Sequence, residues 1–361
     1  MLRMPSIIAE KRGLAEKGHS MKRRELLSSV ASLAALSAMP ARAQELVADE
    51  NAPLILTRII PIPDTVGRFD HMSVDNARGL IFCTVFGNDT VEVLQVQRGK
   101  RIRTLNGDFE MPQAALYMPD LNRLAVSNSG GGTVKIFDGD SFKLLSTVKF
   151  ADDADNLRYD AAQKRVYCGY GEGAIGVFDA KSYKILDNYE LGVHPESFQL
   201  EKNGPRIFVN LASISQVAVI DRGTKKIDRW PLKEAGTNFP MALDEERRRI
   251  FIAARRPARL LVLDMDSGKT VASLPGAADT DDMWYDVDRK RIYVPSGEGF
   301  MYCYRQIDAD HYEREAKLPT AIGARTSSYS GQVGKHNSLY LAVPARVFKG
   351  AELWIYETRD S

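Results

Sequence analysis

Cysteine is scarce: Cys83, Cys168 and Cys303 are the only three in 361 residues. An odd number without close spacing excludes a disulfide framework, and the three read as buried, inert thiols. A Gly-x-Ser-x-Gly elbow, a phosphate loop, a dinucleotide fingerprint, a haem-attachment cysteine pair and zinc-finger spacing are all absent, which removes the enzyme classes that depend on them. Charge of one sign is not in excess either, with 49 Lys and Arg against 47 Asp and Glu. Eight of the basic and three of the acidic residues fall within positions 1–43, so the remainder holds 41 basic and 44 acidic groups, a net of −3. A nearly neutral chain gives no electrostatic case for nucleic-acid binding, and none is expected. No later apolar run approaches membrane-spanning length, so no span is expected. No segment sustains helical periodicity.

The first 43 residues differ from the rest. Met21-Lys22-Arg23-Arg24-Glu25-Leu26-Leu27 opens a basic region, Ser28 to Met39 is small and apolar, and Ala41-Arg42-Ala43 precedes Gln44 with the small-x-small form of a cleavage site. This is the layout of a secretory signal, and the adjacent arginines resemble a twin-arginine export signal. Residues 1–20 have no place in such a signal, so the start is placed at Met21. The alternative is a cytoplasmic amphipathic tail. The division expected is an upstream segment and signal peptide over 1–43 and one domain over 44–361, periplasmic or secreted.

That domain is a repeat. Ile81-Phe82-Cys83, Leu124-Ala125-Val126, Val166-Tyr167-Cys168, Ile207-Phe208-Val209, Ile250-Phe251-Ile252, Ile292-Tyr293-Val294 and Leu339-Tyr340-Leu341 start 43, 42, 41, 43, 42 and 47 residues apart. A second apolar series follows each of them, from Val91-Glu92-Val93-Leu94 to Leu353-Trp354-Ile355-Tyr356. The residues are β-branched and aromatic, and Gly, Asn, Asp and Pro clusters separate the runs. Four strands and their turns fill a period of about 42 residues, the size of one propeller blade. Weaker first strands, such as Met72-Ser73-Val74 and Leu157-Arg158-Tyr159, lead into polar turns opened by Asp75, Asp160, Asp244 and Asp286. The last repeat stops after its third strand, and Leu54 to Ile60 is an orphan strand ahead of the first. The fold expected is all-β: a seven-bladed β-propeller closed by an N-terminal strand completing the last blade.

The second repeat, Leu124-Ala125-Val126-Ser127-Asn128-Ser129-Gly130-Gly131-Gly132-Thr133-Val134-Lys135-Ile136-Phe137-Asp138, resembles the YVTN repeat: a Tyr-Val-Thr-Asn strand end, a small polar turn, then Thr-Val-x-Val-Ile-Asp. Blade one keeps Asn88-Asp89-Thr90-Val91-Glu92-Val93-Leu94 and blade four keeps Val217-Ala218-Val219-Ile220-Asp221, while blades five to seven keep only the pattern. The resemblance implies a YncE-like, commonly exported propeller. The motif is structural and carries no activity with it. Quinone-cofactor propeller dehydrogenases usually have eight blades with regular tryptophan motifs, and three tryptophans in seven repeats argue against them.

In a propeller the residues that enter each innermost strand surround the channel mouth, where ligands usually sit. Counting back from the second strands gives Asp70 and His71, Gln113, Asp155 and Asn156, His194 and Glu196, Asn238, and Asp281 and Asp282, with Arg325 and Ser328 from blade seven. The b–c loops of blades five and seven add Arg255 and Arg346. Polar lining of a water-filled channel is expected in any case. Two functional readings stand beside it. The leading one is a binding or scaffold module for a small molecule or protein at the mouth, expected to be a monomer. The other is a metal-dependent lactonase-type hydrolase in which Asp70, Asp155, Glu196 and Asp281 hold a divalent cation such as calcium. A third pattern reads as structural: Arg123, Arg165, Arg206, Arg249 and Arg291 precede the second strands and are expected near the acids of the hairpin turns.

Overall fold

A computed structural model describes residues 52–330 and 337–360. The export signal expected over 1–43 lies outside the described residues. The described chain is almost entirely strand and turn, broken by three one-turn 3₁₀ segments. It forms seven separate four-stranded antiparallel sheets, the seven blades expected of the repeat. Strands are lettered a to d within a blade, a being innermost.

Blade one comprises Ser73–Asp75, Leu80–Val85, Thr90–Gln95 and Lys100–Leu105. Blade two comprises Pro112–Met118, Arg123–Asn128, Thr133–Asp138 and Leu144–Lys149, and blade three Ala154–Asp160, Arg165–Tyr170, Ala174–Asp179 and Ile185–Glu190. Phe198–Leu200, Arg206–Leu211, Gln216–Asp221 and Ile227–Pro231 make blade four; Gly236–Asp244, Arg249–Arg256, Ala258–Asp264 and Thr270–Pro275 make blade five. Blade six is Trp284–Asp286, Arg291–Ser296, Glu298–Gln306 and Tyr312–Ile322. Blade seven takes strands a to c from Ser327–Ser330, Ser338–Val343 and Ala351–Thr358, and its outermost strand is Leu54–Ile62. That strand runs antiparallel to Ala351–Thr358, with Ile60 opposite Leu353 and Ile59 opposite Trp354.

The b and c strands are apolar runs because both of their faces are covered. Leu80–Val85 is buried at every position, as a strand packed between two neighbouring sheets must be. The outer strands are half solvated: Lys100–Leu105 buries only its last residue. Packing between blades divides the apolar interior into seven cores, one per blade interface. Ile81, Cys83 and Leu94 of blade one meet Tyr340, Leu353, Ile60 and Ile62 of blade seven. Leu339 and Leu341 of blade seven meet Tyr293, Met301 and Cys303 of blade six. The three cysteines are buried and unpaired.

Turns are set by a recurrent aspartate. Asp138, Asp179, Asp221 and Asp264 end their c strands, and each carboxylate accepts the backbone N–H and the hydroxyl of the Ser or Thr three residues on: Ser141, Ser182, Thr224 and Ser267. This side chain-to-backbone bonding stabilises the reversal without a ladder. At the a–b turns Asp75 and Asp160 do the same for the N–H groups of Ala77 and Arg78, and of Ala162 and Gln163.

Three of the five arginines before the b strands find other partners than expected. Of the five, Arg206 pairs with a turn acid, Glu201, at 2.7 Å. Arg123 and Arg249 pair with Asp138 and Asp264, each at 3.1 Å, and Arg291 with Glu315 at 2.6 Å. Arg123 lies opposite Asp138 and Arg249 opposite Asp264 across the b–c ladder. Arg249 and Arg291 also lie opposite the turn acids Asp244 and Asp286 across the a–b ladder, so register permits either pairing and occupancy decides it. The turn acids are taken instead by Arg78, Arg247 and Arg289 of their own turns, and Asp160 by Arg222.

Candidate functional site

Three innermost strands break register at the same place: between Pro112 and Ala115, between Ala154 and Leu157, and between Asn238 and Met241. A bulge leaves residues out of the ladder and re-aims their side chains. Gln113, Asp155, Asn156 and Phe239 stand in these bulges, and all four line one cavity of about 200 Å³. In blades one, four and six the lining residues come just before the inner strand instead: Arg68, Asp70 and His71; His194, Glu196 and Ser197; and Asp281. Six of the seven blades therefore contribute to one cavity. A second cavity of about 360 Å³, lined by the inner strands, shares His71, Ser197 and Asp281 with the first and adds Arg158, Gln199, Asp282, Trp284 and Ser328.

The backbone holds the first group rigidly. Asp70 N–H donates to the Thr84 carbonyl at 3.1 Å, His71 N–H to the Gln113 carbonyl at 2.9 Å, and Ala115 N–H returns to the His71 carbonyl at 3.1 Å. The Thr84 hydroxyl donates to the same two carbonyls, of His71 and Gln113. In blade four Glu196 N–H donates to the Asn210 carbonyl at 3.0 Å.

Each ionisable group has a distinct setting. His71 Nδ1 lies 2.9 Å from Asp282 Oδ1, while the other oxygen of Asp282 accepts the Ser327 N–H at 2.7 Å. Burial opposes the imidazolium of His71, but Asp282, Asp70 and Asp155 outweigh it and hold its pKa up to about 10. Burial pushes the Asp70 carboxyl up to about 7, against the pull of His71 and Arg68. His194 donates from Nδ1 to the Gly171 carbonyl at 2.7 Å, and its Nε2 lies 3.7 Å from Asp155 Oδ2. The Asp155 carboxylate, working against burial, raises that imidazole to about 9. Burial first, and Asp155 second, push the Glu196 carboxyl up to about 7. Asp281 is held by two guanidinium groups, Arg255 and Arg325, the latter at 2.5 Å. Arg255 also lies over the Phe239 ring at 3.4 Å and donates to the Thr280 carbonyl.

Of the fourteen residues nominated from sequence, Asp70, His71, Gln113, Asp155, Asn156, His194, Glu196 and Asp281 line the cavity, Arg255 and Arg325 brace it through Asp281, and Ser328 lines the larger cavity. Asp282 faces the larger cavity and anchors His71. Asn238 and Arg346 go elsewhere. Asn238 is fully buried and donates to Asn210 Oδ1 at 2.7 Å and to the Gln216 carbonyl. Arg346 folds back onto Glu352 at 2.9 Å.

Sequence reasoning passed over Arg68, Ser197, Phe239 and Arg158. Arg158 had a legible signal. Leu157 and Tyr159 flank it and pack into the core between blades two and three, so strand alternation turns Arg158 toward the channel. Its nearest partners there are neutral: the Leu157 carbonyl at 2.8 Å, and Gln199 and Ser197 at 3.4 Å. Burial lowers its pKa to about 10.

As for metals, Asp155, His194 and Glu196 each offer a ligand atom within 4.8 Å of the other two. No helix among the described residues is long and apolar enough to cross a membrane.

No protein-family model and no curated protein matches the chain. Solved structures do. The WD40 repeats of RRP9 align over 86% of this chain and 98% of theirs, with a TM-score of 0.71 and 10% identity. A chain of the mitotic checkpoint complex aligns over 97% and 99%, with a TM-score of 0.71 and 12% identity. At such low identity the likeness shows the fold alone, and that fold is the β-propeller.

Proposed function

We propose that this chain is an exported, YncE-like propeller that acts as a binding module, and that the cavity at the channel mouth takes a small polyhydroxylated or cationic ligand. One observation carries the reading: six blades direct a side chain into a single cavity of about 200 Å³. Solvated lining needs polar groups, but it does not need bulges that break three ladders at one height to aim them. The four carboxyl groups that line it suit hydroxyl donors or a cation. Thermal shift and calorimetry of the purified chain against polyols, aldoses, sugar acids and diamines test this. At least one class is expected to raise Tm in proportion to its concentration, and Asp155→Ala is expected to abolish the shift. No shift with any class removes the reading. Export is tested separately, by the N-terminus of protein recovered from a periplasmic fraction, which is expected at Gln44.

Glu196 favours a second reading, a metal-dependent lactonase-type hydrolase. Its carboxyl, raised to about 7, suits a general base near neutral pH. Turnover of lactones or esters in the presence of a divalent cation, lowered by about 10²-fold or more in Glu196→Gln, supports this reading. Absence of turnover with every divalent cation eliminates it.

A further inference from the structure

The carboxylates at the mouth fall into two kinds. Asp70 and Asp281 are already neutralised by guanidinium groups, Asp70 by Arg68 at 3.0 Å and Asp281 by both Arg255 and Arg325. Asp155 and Glu196 have no lysine or arginine partner among the described residues; the nearest cationic group to Asp155 is the His194 ring, 3.7 Å away. Neither carboxyl has the permanent counter-charge of a lysine or arginine, and holding such a group as an anion inside the cavity is costly unless something else balances it. They therefore mark the part of the cavity that a cation would occupy.

The imidazole between them is oriented for the same purpose. A carbonyl oxygen can only accept, so the 2.7 Å contact between His194 Nδ1 and Gly171 O puts the hydrogen on Nδ1. That leaves Nε2 turned to Asp155, where a bound cation would replace its proton. A histidine whose other nitrogen donates to a backbone carbonyl is the usual support for a metal-ligating ring. The 3.7 Å between Nε2 and Asp155 Oδ2 is close to the separation of about 3.4 Å expected for two donors bound about 2.1 Å from a tetrahedral centre. Asn156 supplies an independent sign of a missing partner. It lines the same cavity, is 2% exposed, and its Oδ1 has no hydrogen-bond partner.

We infer that Asp155, His194 and Glu196 form a binding site for a single first-row divalent cation of the zinc type, with one nitrogen and two oxygen donors and an open position facing the cavity. The donor set selects against calcium, which takes six to eight oxygen ligands. It also replaces two of the four acids that the sequence alone nominates, because Asp70 and Asp281 are already engaged by arginines. The inference rests on the mouth being the ligand site and names the first species bound there.

The test uses the full chain stripped with EDTA and titrated calorimetrically with ZnCl₂ and with CaCl₂. One equivalent of Zn²⁺ is expected to bind, with Ca²⁺ much weaker. His194→Ala and Asp155→Asn are each expected to weaken Zn²⁺ by about 100-fold or more. His311→Ala, which alters an exposed histidine paired with Asp308 on the far side of blade six, is expected to leave Zn²⁺ binding in place. Pulsed EPR of the Cu²⁺-loaded, unsubstituted chain reads a coordinated imidazole nitrogen without relying on any variant. Lack of stoichiometric Zn²⁺ binding overturns the inference, as do equal affinity in His194→Ala and a Cu²⁺ spectrum without nitrogen coupling. If Zn²⁺ fails while an organic ligand still shifts Tm through Asp155, the metal inference falls and the binding reading stands. If Zn²⁺ binds as described and no organic ligand does, the inference holds and the wider reading falls.

Discussion

His71 and Asp282 meet across the channel, Nδ1 to Oδ1 at 2.9 Å, although 211 residues separate them in sequence. One stands at the entry of blade one and the other at the entry of blade six, with blade seven between. The contact therefore ties together blades that share no sheet. Asp282 completes the tie by accepting the Ser327 N–H of blade seven at 2.7 Å. Removing the carboxylate leaves the half-buried His71 imidazolium with only Asp70, 3.8 Å away, and leaves the buried Ser327 N–H unpaired. Asp282→Ala is expected to cost about 3 kcal/mol of stability in chemical denaturation. Asp282→Asn, which keeps an acceptor for Ser327, is expected to cost less. Equal and small losses in both would show that the link across the channel is incidental.

Glu201 supplies the pH dependence. Its carboxylate accepts from Arg206 at 2.7 and 2.9 Å and from Arg248 of blade five at 2.9 Å. The bond to Arg206 leads, opposed by burial, and with Arg248 it pulls the pKa down from 4.5 to about 2. A pKa depressed by folding contributes stability that is fully present above the unfolded value and is lost as pH falls through the folded one. Glu201→Gln is therefore expected to lose about 3 kcal/mol at neutral pH. The gap between parent and variant should begin to close below 4.5 and vanish near pH 2. Melting curves across that range check the window, and a gap that persists at its acid end would contradict the assignment.

The b and c strands were legible because both of their faces are covered, which makes runs such as Leu80–Val85 apolar throughout. The d strands were mostly not legible. Lys100–Leu105 and Ile185–Glu190 lie at the outer edge with one face in water, so composition does not separate them from loops. At the mouth, counting back from the b strands found the height of the site, because strand length repeats even where sequence does not. It could not find which acids are spoken for. Asp281 is neutralised by Arg255 and by Arg325, which come from the blades on either side of it. Asn238 stands at the same height but is drawn away by Asn210 of blade four. The same limit applied to the arginines before the b strands, whose expected acids Asp160, Asp244 and Asp286 were already taken by Arg222, Arg247 and Arg289.

The outermost strand of blade seven gives a test of the ring that depends on alternation alone. Ile60 and Ile62 are fully buried in the core shared by blades seven and one, whereas the intervening Pro61 and the preceding Ile59 face outward, Ile59 at 41% exposed. Ile60→Ala is expected to cost about 2–5 kcal/mol, comparable with Ile81→Ala on the opposite wall of the same core. Ile59→Ala is expected to change stability by no more than about 0.5 kcal/mol. Denaturant titration of the three variants decides it. If Ile60→Ala were as mild as Ile59→Ala, the strand would not be packed where the structure puts it.

Gly173 links the fold to the proposed cation site. Its φ is +140°, and a Cβ built there would lie 2.1 Å from the Val193 nitrogen and 2.4 Å from its carbonyl oxygen. Val193 directly precedes His194, so the overlap can be relieved only by moving the segment that carries the imidazole. Gly192 offers the matched control. It too has a positive φ, +66°, but nothing lies within 4 Å of an added Cβ. Gly192→Ala should therefore show only the backbone cost of a left-handed residue, about 1–2 kcal/mol, and retain Zn²⁺ binding. Gly173→Ala should lose more stability than that and weaken Zn²⁺ along with it, because His194 can no longer hold both the Gly171 carbonyl and its place opposite Asp155. Equal Zn²⁺ affinity in the two variants would mean that the position of His194 does not govern the site.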